Sequence, residues 1–207
     1  MVPDAEKRAL EARYCEAAVR ELFIEAGAAA SSRTDSMARN IELKARDPDP
    51  ARSLDVSLAL GAEDHGWLQQ LDTYFKVPQG RLKLREQDGA AELIHYERSD
   101  EAIARESSYR IVPIEDPDGL KDALAAALGV MVAVEKARQL LVWRNVRIHL
   151  DEVPGLGSFI ELEAAAEPGS DLSGEYRNIA ELREALAISD DQVLADGYSD
   201  ELLRIGA

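Results

Sequence analysis

Gly80-Arg81-Leu82-Lys83-Leu84-Arg85-Glu86 alternates cations with leucines. In an extended strand successive side chains leave on opposite faces, so Arg81, Lys83 and Arg85 share one side and Leu82 and Leu84 the other. Like charges stacked along one strand face repel unless an anion or carboxylates compensate them. The stretch predicts a strand with one cationic and one apolar face, and makes a polyanion site the first functional expectation.

The chain around it is acidic. Its 207 residues carry 24 Lys+Arg against 40 Asp+Glu, a net charge of -16. That balance argues against nonspecific attachment to nucleic acid or to an anionic membrane surface, both of which need a basic footprint. A phosphate site must therefore be local and enclosed. Cys15 is the only cysteine, so an intrachain disulfide is excluded and a reducing, cytoplasmic setting is expected. The sequence holds no apolar run of about 18 residues that would span a bilayer. Nor does it open with the basic and then apolar pattern of a secretory leader.

From Met37 onward eight short alternating segments read as strands: 39–46, 69–77, 81–87, 91–98, 107–113, 130–140, 143–153 and 158–165. Residues 50–61 and 117–128 read as helices between them, with further helices over 175–187 and near Glu201. Val77-Pro-Gln-Gly80 and Pro154-Gly-Leu-Gly157 are tight-turn signals that make their flanking strands hairpins. The expected class is α+β, mainly β: an eight-stranded antiparallel barrel with flanking helices. Residues 1–36 form a separate block, a helical pattern over 4–26 followed by an Ala/Ser connector. They contribute five Lys+Arg and seven Asp+Glu, so the acidity belongs to the domain at 37–207. Either Met37 is the true start and the preceding block is a dispensable extension, or the block is a helix docked on the domain. Its deletion is expected to leave the domain folded, and loss of soluble protein would show the helix to be integral.

The charged faces decide how the barrel is turned. Glu42, Lys44 and Arg46 oppose Ile41, Leu43 and Ala45; Arg147, His149 and Asp151 oppose Val146, Ile148 and Leu150; Glu161 and Glu163 oppose Ile160 and Leu162. Lys136 and Arg138 share a face, and Arg98 and Arg110 sit in the segments between. For any one strand the simple reading is a solvated polar face. Taken together, cations and acids are segregated by strand, and helices are available to cover the apolar sides. An inverted barrel accounts for both: a charged interior, and an apolar exterior beneath helices.

These residues resemble the CYTH family, the triphosphate tunnel metalloenzymes. That group includes class IV adenylyl cyclases, thiamine triphosphatases and inorganic triphosphatases. The resemblance rests on Ile41-Glu-Leu-Lys44, Asp72-Thr-Tyr-Phe75, Gly80 to Glu86, Lys136-Ala-Arg138 and Arg147-Ile-His-Leu-Asp151 running on to Glu163, in matching order over about 37–165. It implies an eight-stranded tunnel binding a triphosphate with Mg²⁺ or Mn²⁺. It also implies phosphate contacts from Arg81, Lys83, Arg85, Arg138 and, more loosely, Arg110, with catalysis carried by Lys44 and Lys136. Glu42, Glu161 and Glu163 would hold metal, and Asp151 would either bind it or orient a neighbouring arginine. The family's opening motif is Glu-x-Glu-x-Lys, and Asn40 stands here at its first position.

Such a site supports different reactions. Attack of the ribose 3′-oxygen of ATP on the α-phosphorus gives cyclic AMP and pyrophosphate; attack of water on a terminal phosphorus makes a triphosphatase of inorganic or thiamine triphosphate. A non-catalytic nucleotide or polyphosphate binder is a third reading, motivated by Asn40. The hairpin from Asp72 to Arg85 looks most like the cyclase branch. The expected partner is a small triphosphate rather than nucleic acid or membrane, and a homodimer is compatible with the sequence. His149 is given no role.

Overall fold

The computed structural model describes residues 37–206. The helix and connector expected over residues 1–36, and Cys15 with them, lie outside the described residues. The described chain runs β1 (Ala38–Arg46), α1 (Pro50–Ala59), β2 (Glu63–Phe75), β3 (Arg81–Gln87), β4 (Ala90–Arg98), β5 (Arg105–Pro113), α2 (Pro117–Leu128), β6 (Val130–Trp143), β7 (Val146–Val153), β8 (Gly157–Ala165), α3 (Ser173–Ala185) and α4 (Tyr198–Ile205). The eight strands close into an antiparallel barrel in the order β1-β5-β4-β3-β2-β6-β7-β8. Closure leaves no edge strand exposed to pair with another chain.

Hairpins join β2 through β5 and β6 through β8, and local turn chemistry sets them. The β2–β3 turn ends at Gly80, whose φ of +63° suits glycine. A Cβ there would lie 2.7 Å from the Tyr96 carbonyl oxygen and 2.8 Å from His95 Nε2. Helices α1 and α2 each begin with a proline in the first turn, and Asp49 and Asp116 accept a backbone N–H from Arg52 and Gly119. No helix among the described residues is long and apolar enough to cross a membrane.

The barrel is inverted. Ile41, Leu43, Ile148, Leu150, Ile160 and Leu162 point outward and pack against Leu172, Ile179, Leu182 and Leu186 of α3 and its flanks. Phe75 and Leu84 are covered by Leu120, Leu124 and Leu128 of α2. Leu84 is fully buried there, and Lys83 is 9% exposed on the opposite, lumenal side. Burying an aliphatic side chain is worth about 1.5–3 kcal/mol, so the helical cover makes the polar interior affordable.

The boundaries differ most from the sequence expectation at β2 and at the β6–β7 turn. Strand β2 begins at Glu63, six residues early, with a register irregularity between Asp64 and Trp67. Trp143 belongs to β6 and pairs with Val146 across the turn at Arg144-Asn145. Polar alternation fails there because Leu140 faces the lumen and Leu141 the helical layer, and both are buried.

Helix α4 lies across one mouth of the barrel. Asp200 takes Arg81 at the start of β3, and Glu201 takes Arg46 at the end of β1. Tyr198 and Leu202 insert between Val132, Val153 and Phe159. The Tyr198 and Phe159 rings meet at 4.9 Å in a tilted pair, a geometry worth about 0.5–1.5 kcal/mol beyond area alone.

Candidate active site

Because directly paired residues of antiparallel strands share a face, the register carries the charged positions of every strand into one lumen. Asp72 on β2 stands opposite Arg85, and Tyr74 opposite Lys83. Arg147 stands opposite Glu163 and His149 opposite Glu161, while β1 sets Glu42 beside Glu163 and Lys44 beside Glu161.

One cluster centres on Asp72. Its carboxylate accepts from Lys83 Nζ at 2.9 Å, Lys136 Nζ at 3.0 Å, and Arg85 Nε and a terminal nitrogen at 2.8 and 2.9 Å. Burial works against its ionisation, and Arg85, Lys136 and Lys83 overcome this, holding the carboxyl well below its ordinary range. Lys136 pays the electrostatic cost. Burial, with Arg138, Arg85 and Lys83 adding to it, pushes its ammonium down to about 7 despite Asp72.

A second cluster centres on Arg138. It makes a bidentate contact with Asp151 at 2.6 Å for each bond and reaches Glu161 at 2.7 Å. Lys44 meets the other oxygen of Glu161 at 2.9 Å and stands 3.6 Å above the Tyr198 ring. The Tyr198 hydroxyl donates to Asp151 at 2.7 Å. Asp151 thus spends both oxygens on Arg138 and Tyr198. It is not among the acidic group described below.

Glu42 accepts from Arg98 at 2.6 Å and from Arg105 at 3.3 Å. Burial, with Glu161 and Glu163 nearby, nonetheless raises its carboxyl above the ordinary value. Glu163 pairs with Arg147 at 2.9 Å. His149, Glu161 and Glu163 bring one ligand atom each to within 4.8 Å of one another. A region where buried acids still repel one another is one that a divalent cation stabilises, and these oxygen donors, with a nitrogen beside them, suit such an ion.

Of the anticipated phosphate contacts, Lys83, Arg85 and Arg138 lie in the lumen. Arg81 lies at the mouth that α4 crosses, on Asp100 and Asp200 at 2.8 and 3.4 Å. Arg110 is a correction. It pairs in register with His95, which pairs with Leu82 on the outer face, and it is exposed. Arg98 and Arg105 take the place expected of it. The signal for Arg105 was its even spacing from Ser107 and Tyr109, lost because the strand was read as starting at Ser107. Arg110 was the looser match of the family resemblance, and because both faces of β5 are polar, alternation offered no check on it.

A model of the CYTH domain matches residues 38–198. The chain belongs to the CYTH domain family. This CYTH chain is 24% identical over 130 residues to "Putative adenylate cyclase MJ0240" of Methanocaldococcus jannaschii, covering 62% of this chain and 74% of that protein. The PH1012 protein of Pyrococcus horikoshii OT3 shares the CYTH barrel with a TM-score of 0.70 at 23% identity, over 78% of this chain and 98% of that one. "Putative adenylyl cyclase HpAC1" of Hippeastrum, described as revealing a dominant triphosphatase activity, matches with a TM-score of 0.51 at 17% identity, over 82% and 96% of the two chains. At these identities the solved structures establish the fold alone.

Tyr198 offers a direct test of the mouth that α4 crosses. Tyr198→Phe removes the hydroxyl from a buried carboxylate while keeping the ring. Stability in urea denaturation should fall by about 1.5–3 kcal/mol, the worth of a hydrogen bond to a charged group. An unchanged midpoint would detach α4 from the Asp151 brace.

Proposed function

We propose that the lumen binds a small triphosphate with a divalent metal ion and catalyses transfer at phosphorus, in the manner of a class IV adenylyl cyclase. The observation that carries this reading is the convergence of Lys83, Arg85, Lys136, Arg138, Arg98 and Arg105 on one enclosed space in an acidic protein. Enclosed cations in excess of their carboxylates suit a polyanion, and arginine forks match phosphate oxygens bidentately. Glu161 and Glu163, with Glu42 beside them, would hold the metal, expected to be Mg²⁺ or Mn²⁺. A bound divalent ion supplies neutralisation of phosphate oxygen charge. The chain's own residues do the remaining work, which is mainly positioning.

Lys44 and Lys136 are the proposed catalytic residues. With its ammonium pushed down to about 7, Lys136 is substantially neutral at physiological pH and able to accept a proton. In cyclisation the ribose 3′-oxygen bonds to the α-phosphorus, the bond from that phosphorus to the bridging oxygen breaks, and pyrophosphate leaves. The hydroxyl proton passes to Lys136 Nζ.

One feature favours a second reading, hydrolysis of inorganic or thiamine triphosphate. The lumenal rings of Tyr74, Tyr96 and Tyr198 already face Lys83 or Lys44, so none is offered freely for stacking on adenine. Incubating the protein with ATP, inorganic triphosphate or thiamine triphosphate and Mg²⁺ or Mn²⁺ separates the readings. Cyclic AMP with pyrophosphate supports the cyclase and orthophosphate the hydrolase. Binding without turnover makes the protein a sensor.

The pH dependence has a defined sign. Lys136 must be neutral to take a proton, so turnover should rise with pH through about 7. Asp72 favours the protonated amine, so Asp72→Asn should move that inflection to lower pH. A profile whose inflection stays in place in the variant removes Lys136 as the base.

A further inference from the structure

We propose that His149 is a metal ligand, and that with Glu161 and Glu163 it makes a site preferring a first-row transition ion to Mg²⁺. This deepens the proposed function and rests on the reading of the lumen as a metal-assisted triphosphate site.

The register sets His149 on β7 directly opposite Glu161 on β8. Its Nδ1 lies 3.6 Å from Glu161 Oε2, beyond hydrogen-bond distance. That nitrogen is buried and has no hydrogen-bond partner, although His149 is 4% exposed. A buried imidazole nitrogen left unpaired is costly, and most such groups in folded proteins find a partner. Here the missing partner is assigned to an ion. The ligand atoms of His149, Glu161 and Glu163 fall within 4.8 Å of one another. Two donors about 2.1 Å from a shared ion stand roughly 3–4 Å apart, so a small contraction completes the set.

The oxygens of Glu161 already meet Lys44 and Arg138, and Glu163 meets Arg147. A carboxylate offers about four lone-pair sites, so these contacts do not exhaust it.

The consequence is selectivity. Mg²⁺ takes oxygen ligands and sheds water reluctantly, whereas imidazole nitrogen raises affinity for Mn²⁺ and, more steeply, for the later transition ions. Adding one nitrogen to a pair of carboxylates moves the site away from Mg²⁺.

The experiment uses the full chain, with Mn²⁺ as the probe. Bound Mn²⁺ is read by electron spin echo envelope modulation, which detects a directly coordinated nitrogen, and affinity by calorimetric titration with Mn²⁺ and Mg²⁺ separately. The expected result is ¹⁴N modulation from one imidazole, altered when the protein carries ¹⁵N-histidine and absent in His149→Gln. The Mn²⁺ over Mg²⁺ affinity ratio should fall about tenfold in that variant. The isotope arm needs no substitution, so a misfolded variant leaves the test intact. Mn²⁺ bound with no nitrogen modulation would overturn the His149 assignment and leave the carboxylate site standing. No Mn²⁺ binding, with or without inorganic triphosphate, would overturn the metal reading as well.

Discussion

Asp72→Ala is expected to lower the stability of the domain by about 3–5 kcal/mol, the cost of breaking a buried ion cluster by removing one partner. Asp72 is 1% exposed and is the common acceptor for Lys83, Arg85 and Lys136. Without it these cations face one another in a buried cluster. Urea denaturation at neutral pH measures the loss, and a change below about 1 kcal/mol would mean that the three cations are neutralised elsewhere. A triphosphate anion should restore the variant more than it stabilises the parent, because it brings the missing negative charge. The pH dependence supplies a second check. Asp72 is held well below its ordinary value near 3.8, so its contribution is full above that value and is lost as pH falls toward the folded one. In Asp72→Ala that acid-side decline should flatten.

Glu161→Gln combined with Glu163→Gln is expected to cut turnover at least about a thousandfold, the scale of removing a preorganised electrostatic element. Glutamine preserves the shape and an acceptor for Lys44, Arg138 and Arg147, while taking away the charge that attracts a cation. The barrel should stay assembled, since the apolar layer under α3 remains untouched. Circular dichroism checks the fold, and steady-state turnover with Mg²⁺ or Mn²⁺ checks the chemistry. Turnover within tenfold of the parent would exclude both residues from metal binding.

Much of this architecture was legible in alternation. Arg81, Lys83 and Arg85 on one face and Leu82 and Leu84 on the other marked a two-faced strand, the segregation of charge among several strands pointed to inversion, and Leu84 lies under α2 as that requires. Alternation misled where its premise failed. At Leu140 and Leu141 both faces are apolar, so the end of β6 was hidden; in β5 both faces are polar, so alternation could not correct the loose family match at Arg110 and Arg105 was overlooked. The hub role of Asp72 was also invisible. A lone acid in Asp72-Thr-Tyr-Phe75 carries no mark of the three cations that two other strands bring to it. Nor does the sequence announce that Asp151 faces Tyr198, because that contact joins β7 to a helix 47 positions further along.

The helix across one mouth turns a passage into a blind sac. Reactants and leaving groups must share the remaining doorway, so whichever product lies deeper departs second and its retention delays the next cycle. A long polymer would have to thread past that helix, whose Tyr198 and Leu202 pack between Val132, Val153 and Phe159. On the proposed triphosphate reading only a free chain end would enter such a sac, so short or terminal phosphate chains are the expected substrates and those embedded within a continuous strand are not.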